Sequence, residues 1–268
     1  MMSQLPFLLR LVDDKSPNVR AKVAQRLRAY GPNIWDEIRD LNIVLSDEQK
    51  ALIEDIFKLT RDEVLISAWS SLQGLRSDYL YLENALLALA HWQTGADSIE
   101  RGQKRLDELA EEFLVTQPYP DSVALSHFLF DFHSLHGAPP NDYHNPMHSN
   151  LIYTLENGTG LPITLACVFI LVGHRIGLHI EGCNFPGHFL ARDSIRDTIF
   201  DPYNGGKVLS AREVDLLVRA APLEMKSAAS SREIVARVLR NLSVAYHQKG
   251  EPNKSGLFLS LLRSMDGD

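Results

Sequence analysis

Apolar positions along most of the chain recur at helical spacing, and one short region alternates as strands do. Near the start "QLPFLLRLV" is apolar and "DDKSP" interrupts it. Pro17 then opens "PNVRAKVAQRLRAYG", with Ser16 placed to cap a helix and Gly31 to stop it. Val19, Val23, Ala24, Leu27 and Tyr30 fall on one face. Further helices are expected in "SDEQKALIEDIFKLT", "DEVLISAWSSLQGL" and "DYLYLENALLALAHWQ". Another, "SIERGQKRLDELAEEFLV", is charged outside and turns Leu106, Leu109 and Leu114 inward. After a break at "TQPYPDS", "SVALSHFLFDFHSLHG" is a short helical piece and "APPNDYHNPMHSN" a proline-bearing loop.

From Gly160 the pattern changes. Pro162 begins "PITLACVFILVGHRI", apolar on almost every side and ending at Gly177, so this helix must be enclosed by protein. His174 and Arg175 lie in its last turn, where cations favour the helix dipole. "LHIEGCNF", "GHFLARD" and "DTIFDPY" follow as three strands of an antiparallel meander. A three-residue loop in the first hairpin would pair Asn184 with His188 and set Cys183 on the opposite face. A two-residue Pro-Gly loop would pair Phe185 with His188 and bring Cys183 to the His188 face. Unprimed Pro-Gly turns match strand twist poorly, which favours the longer loop. At the tail, a capping box of Ser230 and Glu233 opens "REIVARVLRNLSVAYHQKG", and "NKSGLFLSLLRSM" completes a hairpin after Gly250. The fold class is therefore α+β, predominantly helical, with a small antiparallel sheet packed on a buried helix.

Composition narrows the function. Hydrophobic residues at 45% and charged residues at 23% suit a soluble globular protein. A net charge of −7 argues against nucleic-acid binding through a basic surface. No apolar run reaches the roughly 20 residues that span a bilayer, so no membrane partner is expected. The start lacks a basic region before its apolar stretch, and two cysteines make no disulfide framework. A cytoplasmic protein with reduced thiols is the expectation. His127, His133, His136, His144 and His148 crowd one region and raise a metal hydrolase as a third reading. Pro146 separates the histidines of "YHNPMHSN" and no cysteine is near, so they are read as loop residues and no metal site is assigned. "ENGTG" and "NGG" match neither a P-loop nor a dinucleotide fingerprint, and no cofactor is assigned.

Five blocks carry a resemblance: "NALLALA", "LDELAEEF", "DYHNPMHSNLIYTLENGTGLPITLACVFILVGHRIGL", "EGCNFPGHFLAR" and "FDPYNGG". In this order they resemble the SirB-type transglutaminase-like family of bacteria, over roughly residues 75–268. The resemblance implies a transglutaminase-like core, related to papain-like cysteine proteases. "D..S.NVR..VA..L...G" resembles a HEAT repeat and "NLSVAYHQKGEPNKSGLFLSLL" a tetratricopeptide repeat, although ordinary helical hairpins explain both patterns as well. The expected division is a helical segment 1–70, a core 71–210 and a helical hairpin 211–268.

Enzymes of this kind use a Cys at the N-terminus of a buried helix, a His on a neighbouring strand and an Asp on the next. The helix N-terminus and imidazolium lower the thiol pKa, the imidazole moves protons, and the carboxylate holds its tautomer. The resemblance places that helix at 162–176, the His at His188 and the Asp at Asp201. The nucleophile's position falls at about Pro162, which has no thiol, and Thr164 is the nearest hydroxyl, with nothing to activate it. Cys167 is read as core packing, whereas Cys183 is the candidate replacement nucleophile. His188 and Asp201 are expected to share a side-chain hydrogen bond with or without chemistry. His148 stands where the related pattern has asparagine. Two functions follow. One is a non-catalytic module that binds another protein through its helical ends. The other is a cysteine-dependent acyl-transfer enzyme (protease, amidase or transglutaminase) using Cys183 with His188 and Asp201.

Overall fold

The computed structural model describes residues 4–31, 34–72, 74–95, 97–185, 188–220 and 228–265. Three short helices come first: α1 (Leu5–Leu9), α2 (Pro17–Arg28) and α3 (Ile34–Asp40). The two helices expected next are one, α4 (Asp47–Leu72). The stretch joining them, "LTRDEV", contains no Gly or Pro to break it. The first half of α4 closes a core with α1–α3, in which Leu5, Leu27, Ile34 and Ile53 are fully buried. Its second half supplies Leu65, Trp69 and Leu72 to the main core.

That main core is assembled around one helix. α5 (Asp78–Thr94), α6 (Ser98–Thr116), α7 (Ser122–Ser126) and α8 (Leu151–Asn157) pack about α9 (Pro162–Arg175). Every residue of α9 from Ile163 to Gly173 is buried, as its unbroken apolar pattern requires. In α6 it is Phe113 that turns inward, not Leu114, which is 46% exposed. Phe113 continues the stripe of Leu106, Leu109 and Ala110 at helical spacing, and Leu114 falls one position off it. At the C-terminal end of α9, Arg175 forks onto both carboxylate oxygens of Glu83 at 2.8 and 2.9 Å and donates to Asp107 at 2.6 Å. This half-buried bidentate contact ties α9 to α5 and α6.

Two short strands, β1 (His136–Gly137) and β2 (Thr159–Gly160), pair in parallel. The four-stranded sheet is an antiparallel meander of β3 (Ile180–Phe185), β4 (His188–Asp193), β5 (Thr198–Asp201) and β6 (Lys207–Val208). One face lays Ile180, Phe189, Ala191 and Phe200 on the α9 side. The other gathers Cys183, Phe185 and Leu190 beneath α10 (Ala211–Ala220), which contributes Leu217. α11 (Ser231–Gln248) and α12 (Pro252–Met265) form the tail hairpin, and Gly250 between them has a left-handed φ of 75°. The capping box is complete, with Ser230 and Glu233 each bonded to the other's backbone amide. Val235, Leu239 and Phe258 from this hairpin lie in the same core as α5 and α9. Among the described residues no helix is long and apolar enough to cross a membrane.

Candidate functional site

The N-terminus of α9 is where the resemblance places chemistry. Pro162 occupies its first position, where a missing N–H costs nothing and a fixed φ suits the helix. The carbonyl of His148 sits against this end, accepting from the Leu161 amide at 2.9 Å and from the Thr164 hydroxyl at 2.9 Å. Thr164 is fully buried with its proton engaged by that carbonyl, so no base stands ready to take it. The residue that the resemblance sets at the nucleophile's position is a proline, whose side chain has nothing to donate.

The β3–β4 hairpin packs against α9. Gly173, near the far end of α9, leaves space that the Ile180 side chain fills. The register pairs Phe185 with His188 and Cys183 with Leu190. This overturns the expected pairing of Asn184 with His188. A one-residue slip would send Phe189 and Ala191 away from α9, and their burial against it outweighs the turn preference. Pro186 and Gly187, on which that preference rested, lie outside the described residues.

Cys183 therefore shares the His188 face, and that face points away from α9. The thiol is 1% exposed among Phe185 and Leu190, and burial pushes its pKa up to about 11. Arg192 lowers it less than burial raises it. At neutral pH only about one molecule in ten thousand would carry the thiolate. Cys167 is fully buried in the second turn of α9, and burial raises its pKa further still. His188 is exposed at the start of β4.

The expected hydrogen bond between His188 and Asp201 is not made. Asp201 is 8% exposed and accepts instead from the Asn204 side chain at 2.7 Å and the Asn204 amide at 3.3 Å, capping the turn at Pro202–Asn204. An aspartate followed by proline is well suited to that local role, which competes with any strand partner.

Sequence reasoning missed what surrounds this end of the fold. Arg237 of α11 bonds the Asn184 side chain, reaches the His188 carbonyl at 3.5 Å and lies 5.4 Å from the centre of the Phe189 ring. α11 also packs on the turn at Pro146–Ser149, so it bridges the hairpin and the α9 cap. His148 is 2% exposed, its Nε2 is 2.8 Å from Asp142, and among the described residues its buried Nδ1 has no hydrogen-bond partner. Asn150 donates to Gln93 at 2.9 Å, and Gln93 donates to the Pro146 carbonyl at 3.1 Å, locking the loop to α5. The six-residue separation of Asp142 and His148 carries no signal in the sequence, because the contact depends on how the two successive turns that hold them fold together.

The histidines disperse rather than converge. His127 pairs with Asp131 at 2.6 Å, His133 lies 3.3 Å from Glu112, and His136 contacts Thr159 at 3.2 Å. Among the described residues no three His, Cys, Asp or Glu side chains come together to hold a metal.

Comparison with known proteins adds an independent line. The family model of the transglutaminase-like superfamily matches residues 100–240. The chain is similar to a UPF0162 protein of Xylella fastidiosa, 30% identical over 202 residues, covering 69% of this chain and 72% of that one. It is also similar to a UPF0162 protein of Pseudomonas aeruginosa, 33% identical over 113 residues, covering 40% and 42% respectively. F-box only protein 21 of Mus musculus is 27% identical over 112 residues, covering 38% of this chain and 18% of that protein. No solved structure matches significantly.

Proposed function

The chain belongs to the transglutaminase-like superfamily, and we propose that it is a non-catalytic member that acts by binding another protein. The reading rests on one observation: the N-terminus of α9 presents Pro162 where the resemblance calls for a thiol. The two cysteines do not substitute. Cys167 is enclosed in the helix core, and Cys183 is held protonated under α10, on the sheet face away from α9. Within the superfamily the proposal places the chain in the SirB-type branch, in the cytoplasm, with α1–α2 HEAT-like and α11–α12 tetratricopeptide-like. Those helical ends, residues 1–70 and 211–268, are the proposed partner-binding segments around the 71–210 core. The separate packing of α1–α3 on α4 supports this for the N-terminal end.

Alkylation by iodoacetamide as a function of pH tests the reading. In the native protein both thiols are expected to stay unmodified at pH 7, and His188→Ala is expected to change nothing. Rapid modification of Cys183 below pH 7, slowed by His188→Ala, would overturn it. The protein would then be a cysteine acyl-transfer enzyme built on Cys183, His188 and Asp201.

A further inference from the structure

A cavity of about 370 Å³ opens where the N-terminal helices meet the main core. It lies along α4 and the end of α5, with Trp35 of α3 at one side and Tyr246 and Lys254 at another. None of His188, Asp201 or the cysteines lines it. Its volume falls at the lower end of the range for small-molecule sites, which are commonly found between packed units.

The charges in this cavity are arranged unevenly. Lys254 is paired with Glu251 and lies 5.2 Å from the centre of the Tyr246 ring, so that side is internally neutralised. Arg61 differs. Its Nε is fully buried, and among the described residues it has no hydrogen-bond partner and the guanidinium forms no ion pair. The backbone makes room for it: Gly95 has a φ of +88°, and a methyl group there would sit 3.2 Å from Nη2. A half-buried guanidinium without a counter-charge is costly, and a planar fork of donors is shaped for a carboxylate. Glu54, Asp55 and Lys58 line the same cavity from α4, the two carboxylates exposed and the lysine half-buried, so this wall offers both carboxylates and a cation. A polyanion would meet these two carboxylates, and an apolar ligand would leave the charged walls unpaired.

From this pairing of an uncompensated Arg61 with Glu54 and Asp55, we infer that the cavity binds a zwitterionic α-amino acid. The α-carboxylate lies on Arg61, the ammonium faces Glu54 and Asp55, and the side chain rests against the indole of Trp35. The inference concerns a second site and holds whether or not the superfamily's chemistry is retained.

Two of the chain's three tryptophans, Trp35 and Trp92, line the cavity, so intrinsic fluorescence reports occupancy. Phenylalanine, N-acetylphenylalanine, phenylalaninamide and inorganic phosphate are titrated into the full-length protein up to about 10 mM. The expected result is a saturable response to phenylalanine, with each singly charged analogue binding about tenfold more weakly or worse. No response to phenylalanine would overturn the inference. So would a phosphate response as strong as that to phenylalanine, which would mark a simple anion site. Arg61→Met supplies a second readout. A residue held for a ligand is a liability without it, so the variant is expected to lose the response and to melt at a higher temperature than the unliganded wild type. A lower melting temperature together with an unchanged response would make Arg61 structural and the inference wrong.

Discussion

Asp193, at the end of β4, is 1% exposed and accepts hydrogen bonds from the Ser122 hydroxyl at 2.6 Å and from the Ile195 and Arg196 amides at 3.0 Å. Burial alone would raise its pKa. The bonds from Ser122, Arg196 and Ile195 outweigh it and hold the carboxyl below the ordinary carboxylate range. A depressed folded-state value means that this aspartate contributes stability above its unfolded pKa, near 3.9, and loses it as pH falls through the lower folded value. Urea denaturation of the wild type is therefore expected to show a loss of stability below about pH 4. Asp193→Asn should be less stable at pH 7 and flatter across that acidic range. Asp201 makes a useful contrast, since its carboxylate is occupied by Asn204 within its own turn. Both residues show how a carboxylate's role is set by which donors the fold delivers to it.

Among the elements, α11 has the most to do with the candidate site. Its start is secured by the capping box of Ser230 and Glu233, and its middle places Arg237 on the tip of the β3–β4 hairpin. Ser230→Ala removes the hydroxyl that accepts from the Glu233 amide at 3.3 Å. The expected cost is about 1 kcal/mol in chemical denaturation, the usual value for losing such a cap. The β3–β4 hairpin shows the opposite relation between local and distant forces. Its turn chemistry argues for one register, but the hydrophobic face opposite α9 demands the other, and the larger buried area prevails.

On the scale of the whole molecule, two cores of unequal size share α4. The smaller joins α1–α3 to the first half of that helix, and the larger surrounds α9 and includes α12. Opening α9 to solvent would dismantle the larger core, whereas α1–α3 can separate at lower cost. Hydrogen exchange followed by mass spectrometry should therefore find the α9 amides slowest of all. Those of α1–α3 and of α10, which buries one side of a single layer, should exchange earlier. Equal protection of α2 and α9 would mean that the two cores unfold as one.

Much of this arrangement is readable from the residues alone. The enclosed α9, the strands that follow it, the cap at Ser230 and the hairpin at Gly250 all come from local patterns whose period or turn chemistry admits one interpretation. The chemistry of a residue is equally local, so it is legible without a structure that Pro162, where the resemblance sets the nucleophile, carries no thiol or hydroxyl. Other features depend on which distant groups meet. These include the pairing of Phe185 with His188, the burial that pushes the Cys183 thiol up to about 11, and the diversion of Asp201 to Asn204. The contacts of Asp142 with His148 and of Arg237 with the hairpin belong with them. Periodicity along a chain specifies which face of an element is apolar. Register, desolvation and the partners of polar groups are set only when those faces close on one another, and there the tertiary structure decides.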